Sequence, residues 1–146
     1  MESSEKMRSM VKQITAIVMA HAALSILSFY AHGKIDDLFL LMGSMPIAII
    51  TCLAPVVAAL SLPTRSARYG AVALLGILPA ELFFNTYTRF TALPSYNILE
   101  PALIWRILYE GSFGAILILE AIAFWLTFKL LLDIHRQIDS PQERQM

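Results

Sequence analysis

Four stretches of about twenty or more almost unbroken apolar residues, at 11–29, 38–62, 70–93 and 102–130, constrain this chain more than anything else in it. A hydrocarbon core about 30 Å thick is crossed by roughly 20 residues of α-helix, and the helix form satisfies its own backbone hydrogen bonds on the way. A water-soluble bundle needs a charged outer face on every helix, whereas whole turns here, such as 46–60 and 115–119, carry no charge on any side. Composition agrees: 58% apolar and 15% charged residues stand far from the soluble averages of about 45–50% and about 25%. The sequence predicts an all-α polytopic membrane protein. It reads as an antiparallel bundle of four transmembrane helices, a single integral membrane domain over residues 1–146 with a cytoplasmic tail at 131–146.

Formal charge is zero, which gives no electrostatic basis for binding nucleic acid, and none is expected as a partner. The placement of the basic residues is more informative. Putting the N-terminus, the second connection and the C-terminus on one side gathers Lys6, Arg8, Lys12, Arg65, Arg68, Lys129, Arg136 and Arg144 there, and leaves Lys34, Arg89 and Arg106 on the other. Positive charge near helix ends stays in the cytoplasm, so both termini are expected on the cytoplasmic side of the cell membrane. The single cysteine, Cys52, excludes an internal disulfide framework and reads as a small packing residue. His21 in the middle of the first run makes that run a membrane helix rather than a cleaved leader.

Local signals divide the runs. Residues 1–10 are polar and read as a lead-in, and Asp36 and Asp37 suit the start of the second helix. Pro63 ends that helix, with Thr64 or Ser66 able to cap the next. Pro46, Pro55 and Pro79 each remove a helical N–H and predict kinks. Trp105 and Tyr109 suit an outer aromatic belt and Trp125 an inner one. Gly111 and Gly114 would permit close helix approach.

The polar residues inside the runs carry the functional signal. Glu81, Asn85 and Arg89 recur every four residues and so form one stripe on the third helix. His21, Ser25, Ser28 and His32 make a face on the first, and Arg106, Glu110 and Glu120 a second stripe, about 80° wide, on the fourth. A charged side chain at mid-membrane costs about 2.5–3.5 kcal/mol on insertion scales, so these stripes are expected to face one another. Counting depth along each helix at about 1.5 Å per residue gives two layers. The outer one holds Arg89, Arg106 and Glu110. The inner one holds His21, Glu81, Asn85 and Glu120, where two carboxyls and one imidazole cannot all be charged in a low dielectric and shared protons are expected.

Ligand or proton binding is therefore assigned to His21, Glu81, Asn85, Arg89, Arg106, Glu110 and Glu120, with no catalytic residue singled out. No single helix carries an HxxE-type metal spacing, and neither metal nor cofactor is expected. Phosphate loops, HExxH and GxSxG are missing from the sequence. The leading function is a small multi-pass membrane protein with an intramembrane polar, carboxylate-lined cavity, open beneath residues 95–100, that binds or moves a small molecule, ion or proton. Two alternatives stand beside it. One is an accessory structural subunit of a larger membrane complex. The other is a membrane-embedded enzyme using Glu/His acid–base chemistry on a lipid-like substrate. The lipid bilayer is the partner common to all three, and a homo-oligomer or a small-molecule ligand is compatible with each.

Overall fold

The computed structural model describes residues 2–35, 44–91 and 102–139. Apart from a turn at 62–66 these are all helical: α1 (Glu2–Ile35), α2 (Ser44–Ser61), α3 (Ala67–Thr91) and α4 (Ala102–Asp139). Three stretches, Glu5–Ala31, Ala67–Tyr87 and Leu103–Gln137, are long and apolar enough to cross a membrane, while α2 contributes the shorter apolar segment Ile50–Ser61. The predicted start of the second run, the Asp36–Asp37 cap and the 95–100 connection lie outside the described residues.

Each helix packs against two others, α1 against α4 and α2, and α3 against α2 and α4, so the four close into a ring. The ring is antiparallel. Lys6 near the start of α1 meets Asp133 near the end of α4 at 3.5 Å. At the opposite end, the Tyr30 ring stands edge-on to Trp105 with centroids 5.7 Å apart. Met10, Ile14 and Val18 of α1 share one apolar cluster with Ala58 of α2, Leu62 of the following turn, Leu74 and Leu78 of α3, and Ala123 and Leu130 of α4. The start of α1, the end of α4 and the 62–66 turn are thereby brought to the same end of the bundle.

The outer helices outlast their apolar runs. Residues 2–10 are the first turns of α1 and not a separate lead-in, because Met7 and Met10 continue the face of Ile14 and Val18 onto the same cluster, where Ile134 of α4 also packs. The tail at 131–139 is likewise helical, held against α1 by that contact and by Lys6–Asp133.

The α2–α3 turn is built by side-chain capping. Thr64 Oγ1 donates to Ser61 O at 2.6 Å and accepts from the Ser66 N–H at 3.1 Å, covering backbone groups that a helix end leaves unpaired. Directly beyond it, Gly70 lies against Ser61 and Ala58. A Cβ there would collide with Ser61 Oγ and stand 2.8 Å from the Ala58 carbonyl oxygen, so the absence of a side chain lets α2 and α3 touch. Gly111 and Gly114 do not serve this purpose: a Cβ at either position meets nothing within 4 Å. Both lie on the exposed side of α4. Pro46 falls in the first turn of α2, where its missing N–H has no helical acceptor to lose, whereas Pro55 and Pro79 are internal.

Candidate functional site

One turn beyond the apolar cluster the interior changes character. His21 from α1, Glu81 from α3 and Glu120 from α4 converge there, with relative exposures of 2%, 5% and 2%. Local periodicity puts them inside. Ile14, Val18, His21 and Ser25 recur at three- and four-residue intervals on the buried face of α1, as do Leu74, Leu78 and Glu81 on α3. On α4 the buried face runs through Ser112, Ile116, Glu120, Ala123 and Thr127.

His21 Nε2 and Glu120 Oε1 are 3.0 Å apart. Either the imidazole N–H donates to a carboxylate or a carboxylic O–H donates to the bare nitrogen, and in both cases one proton lies on that line. Glu81 Oε2 approaches the same Nε2 at 3.8 Å, too far for a hydrogen bond. His21 Nδ1, both Glu81 oxygens and Glu120 Oε2 are buried without a hydrogen-bonding protein group among the described residues. One donor atom from each of the three residues can be chosen so that all lie within 4.8 Å of one another. Among the described residues Glu81 and Glu120 are ion-paired to His21 alone. On the fourth side, α2 presents Cys52, buried, a free thiol, and within electrostatic reach of Glu81.

The two directions out of this cluster differ. Toward the termini lie Val18, Leu78 and Ala123, then Ile14, Leu74 and Leu130, all buried and apolar; buried Thr127, between Ala123 and Leu130, gives its hydroxyl to the Ala123 carbonyl at 2.7 Å. Toward the Trp105 end come Ser25 one turn along α1, Asn85 one turn along α3 and, on α4, buried Ile116 one turn along and Ser112 two turns along. Ser25 and Ser112 are buried and Asn85 is half-buried. The Ser112 hydroxyl donates to the Tyr109 carbonyl at 3.0 Å.

Of the seven residues assigned from sequence, the structure brings His21, Glu81 and Glu120 together. Asn85 stands next to them on the same face of α3. Arg89 belongs to α3, but its side chain lies outside the described residues. Arg106 and Glu110 are placed elsewhere: Arg106 Nε donates to Glu110 Oε1 at 3.0 Å, with both side chains about half exposed, 48% and 50%. Helix geometry explains the split. The buried face of α4 centres about 45° to one side of Glu120, while Arg106 and Glu110 lie about 40° and 80° to the other. Glu120 thus stands at the border of the buried face, and the rest of its stripe faces outward. Within the inner layer, counting about 1.5 Å per residue from the middle of each run sets Glu120 about 6 Å to the cytoplasmic side of His21, whereas the structure brings the two side chains to 3.0 Å. The contacts at Lys6–Asp133 and Tyr30–Trp105 fix the α1–α4 register independently of where each apolar run is centred.

Ser112 and Cys52 were not singled out from sequence as part of this region. The only trace of Ser112 was its eight-residue separation from Glu120, which returns to the same face, and for Cys52 no spacing within its own helix points to Glu81. No family model, curated protein or solved structure matches this chain.

Proposed function

We propose that this chain is an integral membrane protein, a four-crossing antiparallel bundle with both termini cytoplasmic, whose His21–Glu81–Glu120 cluster binds a cation, either an ion or a proton, within the bilayer. The membrane placement is supported by inverted burial. Side chains such as Ile26, Ile50, Val57, Phe83, Ile104 and Ile118 are 62–72% exposed, while carboxyls and an imidazole are inside, the reverse of a water-soluble domain. It is supported again along α4. Trp105 and Trp125 are twenty residues apart, about 30 Å of helix, which matches a hydrocarbon core. Basic side chains lie beside both belts, Lys34 Nζ 5.5 Å from the Tyr30 ring centroid and Lys129 Nζ 4.9 Å from that of Trp125, as residues reaching for the interface do.

The observation that carries the cation reading is Glu81. A buried carboxyl with no hydrogen-bonding group among the described residues, next to a second carboxyl and an imidazole, is costly unless positive charge joins it. The polar cavity of this proposal runs from the cluster past Asn85, Ser25 and Ser112 to the outer surface. The apolar layers of Val18, Leu78 and Ala123 close the other direction, which favours a binding site entered from outside over a continuous pore. Movement of the cation to the cytoplasm would require those layers to part.

Two measurements test the proposal. In a Cys52→Ser background, a thiol introduced by Ser66→Cys should be labelled only from the cytoplasmic side; labelling from outside intact cells reverses the topology. Infrared difference spectra of the protein in lipid, recorded across pH, should contain a carboxyl signal that disappears in Glu81→Gln. Spectra that are the same for the two proteins would remove Glu81 from any cation-binding role.

A further inference from the structure

We propose that the cation is a divalent first-row transition metal of the zinc, manganese or iron class, ligated by His21 Nε2 and by the carboxylates of Glu81 and Glu120. This rests on the cation-binding reading above and names its ligand.

The donor geometry comes first. Metal–nitrogen and metal–oxygen bonds of about 2.0–2.2 Å place neighbouring ligand atoms of a tetrahedral ion about 3.4 Å apart. The two distances that meet at His21 Nε2, 3.0 Å to Glu120 and 3.8 Å to Glu81, lie on either side of that figure. The whole set falls within 4.8 Å. Rotation of the Glu81 carboxyl, which no hydrogen bond from the described residues holds, brings the third donor in.

Charge gives a second, independent argument. Two carboxylates and a neutral imidazole sum to minus two, and among the described residues no lysine or arginine pairs with either glutamate. One dication neutralises the set, which a low-dielectric interior demands. Donor chemistry then narrows the metal. Calcium and magnesium call for six or more oxygen ligands, largely without nitrogen, whereas one imidazole with two carboxylates suits zinc, manganese and iron. Three protein ligands leave at least one coordination position for an exchangeable group, as in catalytic and transport sites rather than closed structural ones. That open position faces the outer side, because Val18, Leu78 and Ala123 fill the other.

The sequence could not display this site because each helix supplies one ligand only. Motif spacing detects ligand pairs on one helix and is blind to a set assembled from three.

The test uses the full chain in mild detergent, stripped with a chelator, loaded with Co²⁺ or Zn²⁺, desalted, and assayed for metal per chain. About one ion per chain is expected. Retention should fall more than about tenfold in Glu81→Gln, since loss of a direct ligand exceeds the about 10–100-fold effect of outer partners. Bound Co²⁺ should show the visible absorption of a low-coordinate nitrogen–oxygen site. Retention should weaken as pH falls, because protons compete for His21 and both carboxyls. Glu81→Gln is the primary variant because its carboxyl makes no hydrogen bond with the described residues; Glu120→Gln and heat stability with and without Zn²⁺ provide second readings. Metal retained equally by wild type and Glu81→Gln overturns the assignment. So does no retention by the wild type. If the infrared signal of Glu81 persists in that case, the cation is a proton and the broader reading stands; if it is also missing, both fall.

Discussion

The two halves of the bundle are made from the same four helices and held together by opposite means. In the half that contains the start of α1, the end of α4 and the 62–66 turn, buried positions are filled by Ile14, Val18, Leu74, Leu130 and small alanines, the one buried polar side chain among the described residues there, Thr127, is bonded within its own helix, and α2 meets α3 across Gly70. In the other half, His21, Ser25, Glu81, Ser112 and Glu120 are buried beside Ala22, Ala31 and Ile116. The first is a packing device that needs only shape. The second needs partners, and among the described residues it leaves four buried polar atoms without a protein hydrogen bond. A fold stabilised at one end by shape can tolerate an unfinished polar network at the other, and an unfinished network is what a binding site looks like before its ligand is counted.

The comparison is broken most severely at the cluster. His21→Leu leaves Glu120 buried beside Glu81 with no imidazole, and loss of one partner of a buried pair costs about 3 kcal/mol or more. Equilibrium unfolding in mixed micelles should show that loss, and His21→Leu combined with Glu120→Leu should recover most of it. Failure of the double variant to recover would mean that the pair is not the stabilising unit. At the apolar end, Leu74→Ala is expected to cost about 2 kcal/mol. That is the low end for buried leucines, because lipid rather than water is the reference and the penalty comes from the cavity. Gly70→Ala should cost about 1 kcal/mol, since α2 and α3 must separate around the Ala58 carbonyl while the added methyl gains helix propensity. A stabilised Gly70→Ala would show that the two helices are not in close contact. The smallest effect belongs to Lys6→Ala. Its partner Asp133 is a quarter exposed and Lys6 itself 69% exposed, so the change should stay within about 1 kcal/mol and shrink further with salt.

The same contrast shows what the sequence could reveal. Helix number, antiparallel order and the inward faces of α1 and α3 were legible because apolar runs and three- and four-residue periodicity are properties of one segment at a time. Glu81 stood out for that reason, as a carboxyl in a run that otherwise suits lipid. The fate of the α4 stripe was not legible. An 80° arc holds Arg106, Glu110 and Glu120, and only packing against α1 and α3 decides that the border of the buried face falls at Glu120. Arg106 and Glu110 are instead satisfied by each other, four residues apart on the exposed side. The glycine of closest approach was misjudged on similar grounds. Gly111 and Gly114, three residues apart, offered a weaker small-residue signal than a true GxxxG, yet Gly70, alone in its surroundings, is the one a neighbouring backbone needs.

Trp105 and Trp125 give α4 a built-in ruler. With rings fixed about 30 Å apart along one continuous helix, the protein cannot shorten or stretch to suit a bilayer of another thickness; it can only tilt or deform the lipid around it, at a fraction of a kcal/mol per Å. Tilt of α4 is not a private motion, because Glu120 is tied to His21 of α1 and lies near Glu81 of α3. Membrane thickness therefore bears directly on the spacing of the three clustered side chains. If they hold a cation as proposed, the same protein placed in thin and thick bilayers is expected to hold it with different affinity.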